Sequence, residues 1–293
     1  MTASADLLYS GYSHFAEKVM ADIRQEVFGT DIGQNSWVTV EEYQHFLPWL
    51  GLGSDHHVLE VASGSGGPAC YVARTTGCRV TGIDANAAGV QTATETAAKV
   101  GEAERVKFSV ADANAELPFK TDSFDALLCV DSLNHFANRL GVFQEWRRVL
   151  RPGDRALFTD PVVVTGAVTN EELAVRSAVG LFLFVPPKIN EKLLRQADFR
   201  LVRTEDVTQN AALVAERWRD ARQARREQLL AFEGEERFDG LQRFFEMVHV
   251  LYREKRLSRI AYLAEEATSS ANEGGDPPLY HSAVSDRETR SDR

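Results

Sequence analysis

Short apolar segments alternate with helix-compatible segments through the middle half of the chain. The apolar segments have the length of strands and lie at residues 56–62, 78–84, 105–112, 124–131 and 155–161. Helix-compatible segments lie between them, at residues 67–76, 86–100 and 138–150. Strands that alternate with helices in this way form a mainly parallel sheet with right-handed crossovers. The pattern therefore predicts an α/β fold with helices on both faces of the sheet.

The segment before the first strand predicts a helical lid over residues 1–50. Residues 12–23 are compatible with one helix. Thr39, followed three residues later by Glu42, matches a capping box that begins a second helix. We therefore expect the core of the protein to begin near residue 51 and to extend to residue 268.

The second half of the chain predicts cap insertions in this core, at about residues 161–190 and 206–255. In the first insertion, a capping box at Thr169 and Glu172 begins a helix. A further helix and a sixth strand follow it. After residue 268 the sequence is polar, charged and short of apolar residues, so residues 269–293 are expected to form a disordered tail.

Residues 207–254 predict two helices. The first is rich in arginine, and we interpret this run as a solvated face with Glu216 and Glu227 as partners in preference to an anion site. The arginines are Arg217, Arg219, Arg222, Arg225 and Arg226. The second helix has an apolar stripe, which packs either on the sheet or on another subunit, so a homodimer is possible.

Composition excludes several classes of function. The chain has 293 residues, of which 44% are hydrophobic, and a formal net charge of -10. The negative charge argues against nucleic acid as a partner and favours a small neutral or cationic molecule. The longest apolar runs fall well short of the roughly 20 residues that cross a bilayer, so no membrane partner is expected. The N-terminus has no signal core, which predicts a cytoplasmic protein.

The three cysteines do not indicate a metal or disulfide site. Cys70, Cys78 and Cys129 are widely spaced and form no C-x-x-C pair. We therefore predict no bound metal and interpret all three as small buried side chains.

An acidic residue stands at or near the end of each of the five predicted strands. In open α/β sheets the ligand binds beyond the carboxyl ends of the strands. A single acid at such a position is usually a helix cap or a turn residue, but five in succession indicate a binding cleft that favours positive charge. These acids are Glu60, Asp84, Asp112, Asp131 and Asp160.

The glycine-rich loop after the first strand fits two kinds of cofactor. Residues 64–69 match the G-x-G-x-x-A pattern of dinucleotide sites, and Asp84 lies where a ribose-binding acid belongs. Two residues argue against a dinucleotide. Pro68 has no N–H group to donate to the diphosphate, and Glu60 would bring a negative charge towards that diphosphate. A cofactor with an ammonium and a sulfonium suits these residues better, while a nicotinamide-dependent oxidoreductase stays the alternative.

Four motifs in order carry a family resemblance: VLEVASGSGGPA, TGIDAN, VADANAELPFKTDSFDALLCVDSLNHF and WRRVLRPGDRALFTDP. They resemble the class I S-adenosylmethionine-dependent methyltransferases over residues 56–161, and more loosely to residue 205. The resemblance is to the small-molecule branch, with its ubiquinone, sterol, phosphoethanolamine and sarcosine methyltransferases. It implies a Rossmann-like seven-stranded sheet, S-adenosylmethionine as cofactor and a small-molecule methyl acceptor, attacked most readily through N or O. A binder without turnover is the other alternative.

The resemblance assigns residues to the methionine end of the cofactor. Glu60 matches the acid that orients the methionine group, and Asp131 ends the strand where oxygen faces the methionine ammonium. Gly64 and Gly66 match the turn glycines that let the backbone approach. The family commonly has glycine where this chain has Ala62, so we expect the turn to adopt an ordinary L-residue conformation there or to shift slightly.

The resemblance also assigns the nucleoside end. Asp84 matches the acid that bridges the two ribose hydroxyls, and Ala85 lies beside the adenine. Asp112 and Ala113 match the pair that contacts the adenine amino group and ring.

The lid and the C-terminal strand follow the same resemblance. Tyr12, Gln34 and Trp37 are candidates for closing over the cofactor. Asp198 stands where a glycine usually precedes a strand, a position that aspartate tolerates because it enters the left-handed region. Residues 258–264 match the closing seventh strand, although their pattern alone would extend the preceding helix.

Methyl transfer from a sulfonium is an in-line displacement, so geometry and exclusion of water matter most. A hydroxyl acceptor needs a base, whereas an uncharged amine needs none for attack. His135 is the best-placed candidate for that base. The alternative is that His135 hydrogen-bonds a loop and packs on Phe136. By the same resemblance, residues 161–190 wall the acceptor pocket, with Phe182 and Phe184 either structural or facing the substrate.

Overall fold

A computed structural model of the chain describes residues 14, 15 and 17–267. Tyr12 and the predicted tail at 269–293 lie outside the described residues. Seven strands form one sheet in the order β3-β2-β1-β4-β5-β7-β6, and β7 is antiparallel to both of its neighbours. The predicted Rossmann-like seven-stranded sheet is therefore confirmed.

The strands agree closely with the predicted segments. Their bounds are β1 His57–Val61, β2 Arg79–Asp84, β3 Val106–Val110, β4 Phe124–Cys129, β5 Leu150–Val164, β6 Phe199–Asp206 and β7 Leu257–Glu266. Residues 258–264 are a strand, as the family resemblance implies, and Asp198 has a φ of 58°. The fifth strand begins earlier than predicted because Leu150 pairs with Phe124 before an irregularity in the register, which resumes at Arg155.

The helices lie on both faces of the sheet and above its carboxyl edge. Their bounds are α1 Lys18–Phe28, α2 Val40–Leu50, α3 Gly67–Thr76, α4 Ala87–Lys99, α5 Arg139–Val149, α6 Asn170–Arg176, α7 Ile189–Gln196, α8 Thr208–Ala224, α9 Arg226–Glu233 and α10 Glu235–Arg253. The capping boxes that begin α2 and α6 are both formed. Residues 18–23 of the first predicted helix belong to α1, while residues 12, 13 and 16 lie outside the described residues.

The prediction of two helices over residues 207–254 is wrong, since three helices are present. Arg225 ends α8, and Gly234, at a φ of 73°, separates α9 from α10. These breaks fold α10 back onto α8. The apolar stripe of α10 packs within the chain, in a cluster that includes Trp218, Phe244 and Val248.

The sheet is covered on each face by its own apolar cluster. On one face Trp146 of α5 is fully buried, with its ring centroid 5.2 Å from that of Phe143 and 5.6 Å from that of Phe158. On the other face α2 and α3 contribute Phe46, Leu47 and Val72. Truncating a side chain such as Trp146 to alanine costs about 3–5 kcal/mol in cores of this kind. The sheet is thus a rigid base for the loops at its carboxyl edge.

Candidate active site

Two cavities lie side by side beyond the carboxyl edge of the sheet. The first, which we call the cofactor cleft, runs along the ends of the strands that carry the predicted acids. Nine predicted site residues line it: Glu60, Ala62, Gly64, Asp84, Ala85, Asp112, Ala113, Asp131 and His135. Gln34, Trp37 and Gly66 are outside this lining.

The turn between β1 and α3 shapes the end of the cleft that carries Glu60. Ala62 has a φ of 59°, so the expectation of an ordinary L-residue conformation is wrong. The turn holds this conformation because the Ser63 N–H donates to the Ile83 carbonyl at 2.9 Å and the Gly66 N–H donates to the Ser63 carbonyl at 3.0 Å. For a residue with a Cβ, the left-handed region costs about 1 kcal/mol. The rest of the fold compensates for this local strain.

Gly66 is needed for packing. A Cβ at this position would lie 2.6 Å from the Cβ of Ala93 and 2.6 Å from the ring of Phe108. The residue also has a φ of 76°. The absence of a side chain at Gly66 therefore lets the start of α3 pack closely against α4 and β3. Gly64, in contrast, is the turn glycine that lines the cleft.

Glu60 is a buried carboxyl with an unsatisfied oxygen. Its Oε2 atom has no hydrogen-bond partner. Burial, together with the smaller effect of the nearby Asp84 carboxylate, raises the pKa of Glu60 from 4.5 to about 8. A cationic group in the cleft would give Oε2 a partner and favour the ionised form. The residue therefore fits the ammonium of a methionine moiety.

Asp84 is held in place by the backbone of two loops. Its Oδ2 accepts a hydrogen bond from the Gly64 N–H at 2.9 Å, and its Oδ1 accepts one from the Asn86 N–H at 2.8 Å. Burial raises the pKa of this carboxyl, while both amides oppose the rise. Each carboxylate oxygen keeps a second lone pair. Asp84 can therefore still accept two hydroxyl groups side by side.

Asp112 and Asn114 line the end of the cleft that is predicted to receive adenine. The Asp112 Oδ1 atom accepts from the Asn114 backbone N–H at 2.9 Å and from its Nδ2 at 3.1 Å. Asn114 in turn accepts from the N–H of Ala137 at 3.0 Å. These bonds connect the loop after β3 to the loop after β4, so the two sides of the cleft are fixed relative to each other.

Asp131 is a hub that joins the sheet to the lid. It has a φ of 54°, and its Oδ1 accepts from the Thr159 hydroxyl and from Arg259 Nε, each at 2.7 Å. Its Oδ2 accepts from the Trp37 N–H at 2.9 Å. Arg259, which is fully buried, also binds Glu42 at 2.7 Å. The charge of Asp131 is therefore already compensated within the protein.

Asp160 does not belong to the cleft, although the sequence places it with the other strand-end acids. It is fully buried and accepts from Arg139 Nη1 at 2.5 Å and from Asn190 Nδ2 at 2.8 Å. These bonds tie β5 to α5 and α7. The fifth acid is therefore structural.

The lid residues that line the cleft are not the ones that the sequence predicted. Gln34 is turned inward, where its side-chain oxygen accepts from the Ile32 N–H at 2.9 Å. The neighbouring Asn35 and Ser36 line the cleft instead, as does Tyr43. Polar residues in a loop give no sequence signal that separates these from Gln34.

The second cavity, which we call the acceptor cavity, lies between the lid, α6 and α8 to α10. Its lining is rich in aromatic side chains: Phe15, Trp37, Phe182, Trp218, Phe244 and Phe245. Trp37 thus faces this cavity, and Phe182 lines it, while Phe184 packs in the cluster around α8 and α10. The arginine run is not wholly a solvated face, because Arg222 is buried and binds Glu233 at 2.6 Å.

Four residues line both cavities and mark where they meet: Asn35, Ser36, Asp131 and His135. A group held in one cavity can reach a group held in the other across this junction. Such an arrangement suits a reaction between two bound molecules with exclusion of water.

His135 is oriented by two hydrogen bonds. Its Nδ1 lies 2.8 Å from the Leu181 carbonyl oxygen, so this nitrogen carries the proton. Its Nε2 lies 3.2 Å from Asn134 Nδ2, which donates to it. Burial lowers the pKa of His135 and Arg176 lowers it further, while the Leu181 carbonyl opposes the shift. His135 therefore presents a neutral ring whose Nε2 is the proton-accepting nitrogen, provided that an acceptor displaces the hydrogen bond from Asn134.

Within the described residues, no helix is long and apolar enough to cross a membrane. The same part of the chain contains no cluster of histidine, cysteine or acidic residues that could hold a metal ion.

Residues 59–158 match the methyltransferase domain family. Over 211 residues the chain is 30% identical to the 27-O-demethylrifamycin SV methyltransferase of Amycolatopsis mediterranei (strain S699), and the match covers 68% of this chain and 75% of that protein. Over 126 residues it is 37% identical to Methyltransferase GfsG of Streptomyces halstedii, a match that covers 43% of this chain and 45% of that protein. The chain thus spans less than half of the length of that relative.

A solved structure of Haemonchus contortus phosphoethanolamine N-methyltransferase 2 in complex with S-adenosyl-L-methionine has the same fold. The TM-score is 0.76 at 20% identity, and the match covers 92% of this chain and 61% of that chain. The nicotinamide alternative receives no support from these comparisons, and the cofactor is S-adenosylmethionine. The motifs, the sheet order and the relatives agree: the chain belongs to the S-adenosylmethionine-dependent methyltransferases.

Proposed function

We propose that this protein transfers the methyl group of S-adenosylmethionine to N or O of a small-molecule acceptor, by in-line displacement. The observation that carries the proposal is the junction of two cavities, one acidic and one aromatic, at Asn35, Ser36, Asp131 and His135. The cofactor occupies the acidic cleft and the acceptor occupies the aromatic cavity. The nucleophile then meets the methyl group at the junction.

The cofactor is held along the strand ends. Glu60 binds the methionine ammonium, because its buried Oε2 lacks any other partner. Asp84, fixed by the amides of Gly64 and Asn86, accepts from the ribose hydroxyls. Ala85, Asp112 and Ala113 line the adenine end.

The bound cofactor supplies an electrophilic methyl group on a sulfonium. The chain contributes orientation and exclusion of water through the aromatic walls. For a hydroxyl acceptor, the Nε2 atom of His135 accepts the proton, since Nδ1 is committed to the Leu181 carbonyl. For an uncharged amine, His135 only positions the nucleophile. The name of the rifamycin relative supports a hydroxyl acceptor.

Residues 1–50 and the insertions at about 161–190 and 206–255 act as a cap over the core at 51–268. This division is supported by the lining of the acceptor cavity, to which the lid and both insertions contribute Trp37, Phe182 and Trp218. Binding of acceptor to a cap of this kind closes the site to water.

The protein works in the cytoplasm on a free small molecule, without nucleic acid. All three cysteines are buried and unpaired, which agrees with a reducing compartment. The net charge of -10 disfavours contact with phosphate backbones. The apolar stripe of α10 packs within the chain and so gives no argument for a homodimer, and sedimentation equilibrium of the purified protein tests the oligomeric state.

Calorimetric titration with S-adenosylhomocysteine tests the cofactor assignment. We expect Asp84→Ala to weaken binding by about 1–3 kcal/mol, because a charge-assisted hydrogen bond is lost. Asp55→Ala, which removes an exposed carboxylate before β1, is the matched control and should bind like wild type. NAD is the control ligand. No binding of S-adenosylhomocysteine to the wild-type protein would refute the proposal.

Turnover is tested by following S-adenosylhomocysteine formation with hydroxyl and amine acceptors. Cofactor binding without turnover on any acceptor would leave the alternative of a binding protein.

A further inference from the structure

Arg176 is a buried arginine without an acidic partner. It is the last residue of α6, lines the acceptor cavity and is fully buried. Its Nε, Nη1 and Nη2 atoms have no hydrogen-bond partner. Among the residues that the structure describes, no carboxylate forms an ion pair with it. A buried guanidinium without hydrogen-bond acceptors or a negative charge beside it is unfavourable unless a ligand supplies them.

The other buried arginines of this cavity are paired. Arg24 binds Asp31 at 3.0 Å, and Arg222 binds Glu233 at 2.6 Å. Arg176 instead lies among aromatic rings, with its Cζ atom 4.4 Å from the ring centroid of Phe182 and 5.2 Å from that of Phe244. Ring faces attract the cation, but they cannot accept the in-plane N–H groups of the guanidinium. The plane of hydrogen-bond donors is therefore left for a ligand.

The neighbouring Tyr252 does not complete the site. Its hydroxyl donates to the Pro161 carbonyl at 2.6 Å. Burial raises the pKa of Tyr252 to about 12, and Arg176 opposes that rise, which places the charge of Arg176 close to a neutral hydroxyl. No negative charge is gained from this contact.

We infer that the methyl acceptor carries a carboxylate, or another anion with two adjacent oxygens, which Arg176 binds in the acceptor cavity. This inference rests on the proposed function. Guanidinium groups bind such anions through two parallel N–H···O bonds, and the aromatic walls strengthen the pair by excluding water. The formal net charge of -10, which suggests a neutral or cationic partner, describes the whole chain and not this cavity.

The location of Arg176 also separates the anion from the reacting atom. The ring centroid of Phe182 lies 5.0 Å from that of His135 and 4.4 Å from Arg176 Cζ. His135 belongs to the junction with the cofactor cleft, whereas Arg176 lines the acceptor cavity alone. The acceptor therefore places its nucleophile near His135 and its anionic group past the Phe182 ring.

Two small probes of the same shape test the inference: phenylacetate, which is an anion at pH 7, and phenylacetamide, which is neutral. Binding to protein saturated with S-adenosylhomocysteine is followed by tryptophan fluorescence, since Trp37 and Trp218 line the cavity. We expect phenylacetate to bind at least tenfold more tightly than phenylacetamide. Arg176→Met should remove this preference, and Arg176→Lys should keep part of it because the charge remains.

Arg200→Met is the control for loss of a positive charge, since Arg200 is exposed and pairs with Glu265 at 2.7 Å on the surface. It should keep the preference for phenylacetate. Equal affinities of the two probes for the wild-type protein, or a preference that persists in Arg176→Met, would overturn the inference. If Arg176→Met does not fold, the inference is overturned by either of two results: equal affinities of the two probes for wild type, or a preference for phenylacetate in Arg176→Lys that is as large as in wild type. Calorimetry with S-adenosylhomocysteine distinguishes the two hypotheses. If only the anion site is wrong, the wild-type protein still binds S-adenosylhomocysteine, whereas it does not bind if the proposed function is wrong.

Discussion

Replacement of Glu60 by glutamine should change how the stability of the cofactor-free protein depends on pH. Burial raises the pKa of Glu60 from 4.5 in an ordinary setting to about 8 in the folded protein. Between these two values the folded protein holds a proton that the unfolded chain has released. The free energy of unfolding therefore falls as pH rises through this window, and the contribution of Glu60 is lost above pH 8.

The size of the effect follows from the pKa difference. At 1.36 kcal/mol per pKa unit, the contribution of Glu60 changes by at most about 5 kcal/mol between pH 4.5 and pH 8. Glutamine does not titrate, so Glu60→Gln should match wild type within about 1 kcal/mol at pH 5 and be more stable by several kcal/mol at pH 8. Urea unfolding at both pH values measures the difference. A variant with the same pH dependence as wild type would refute the reasoning.

The same substitution should change the proton balance of cofactor binding. The ammonium of S-adenosylhomocysteine favours the ionised form of Glu60, so binding at pH 7 should release a proton from the wild-type protein. Calorimetry in two buffers with different ionisation enthalpies measures that release, which Glu60→Gln should lack. Glu102→Gln is the control, since Glu102 is also buried but pairs with Arg105 at 2.9 Å outside the cleft. Proton release that survives in Glu60→Gln would assign it to another group.

Three further predictions concern the junction and the lid. Arg259→Met leaves Asp131 and Glu42 without their partner and should cost about 3–5 kcal/mol of unfolding free energy in urea, whereas the exposed Arg200→Met should cost less than about 1 kcal/mol. Gly67→Ala places a Cβ 1.7 Å from the Ile32 carbonyl oxygen and should lower the Tm and weaken S-adenosylhomocysteine binding, whereas Gly240→Ala, with open space around it, should do neither. His135→Gln should lower kcat for a hydroxyl acceptor about 100-fold without changing cofactor affinity. For wild type, kcat should fall only below pH 6.5, because burial lowers the pKa of His135.

The sheet and most of its bounds could be predicted from the sequence because they depend on local patterns. Strand length, helical periodicity and capping boxes are properties of neighbouring residues, and the boxes at Thr39 and Thr169 are formed as predicted. The strand at Leu257–Glu266 is an exception. Its pattern would continue α10, and only the family resemblance identified it as a strand.

Conformation at single positions was less predictable. Asp198 has a positive φ as expected, but Ala62 was expected to avoid this region and has a φ of 59°. The preference of alanine is a local property, whereas the hydrogen bonds that hold the turn come from Ile83 on the next strand. At this position the tertiary hydrogen bonds therefore outweigh the preference of alanine for a negative φ.

Partners that are distant along the chain could not be read from the sequence at all. Five strand-end acids looked alike, yet Asp160 pairs with Arg139 and Asn190 inside the protein, while Glu60 keeps an oxygen without a partner. Likewise, Arg222 and Arg219 belong to one arginine-rich helix, but Arg222 is buried and Arg219 pairs at the surface with Asp220. Composition counts charges, and only the fold decides which of them are compensated.

Two buried ionisable groups without a partner distinguish the two cavities of this site. The cofactor cleft retains Glu60, a buried acid without a partner on Oε2, and the acceptor cavity retains Arg176, a buried cation without an acid. A cationic cofactor and an anionic acceptor would each be bound by the opposite charge, in neighbouring cavities that meet at His135. Transfer of the methyl group converts the sulfonium into a neutral thioether, while the positive charge passes to the methylated amine or, for a hydroxyl acceptor, to the protonated ring of His135. The charge is therefore moved across the junction, and in a site that excludes water little solvent has to reorganise during this step. The two unpaired residues would bind the reactants on either side of the junction and hold them in line for the transfer.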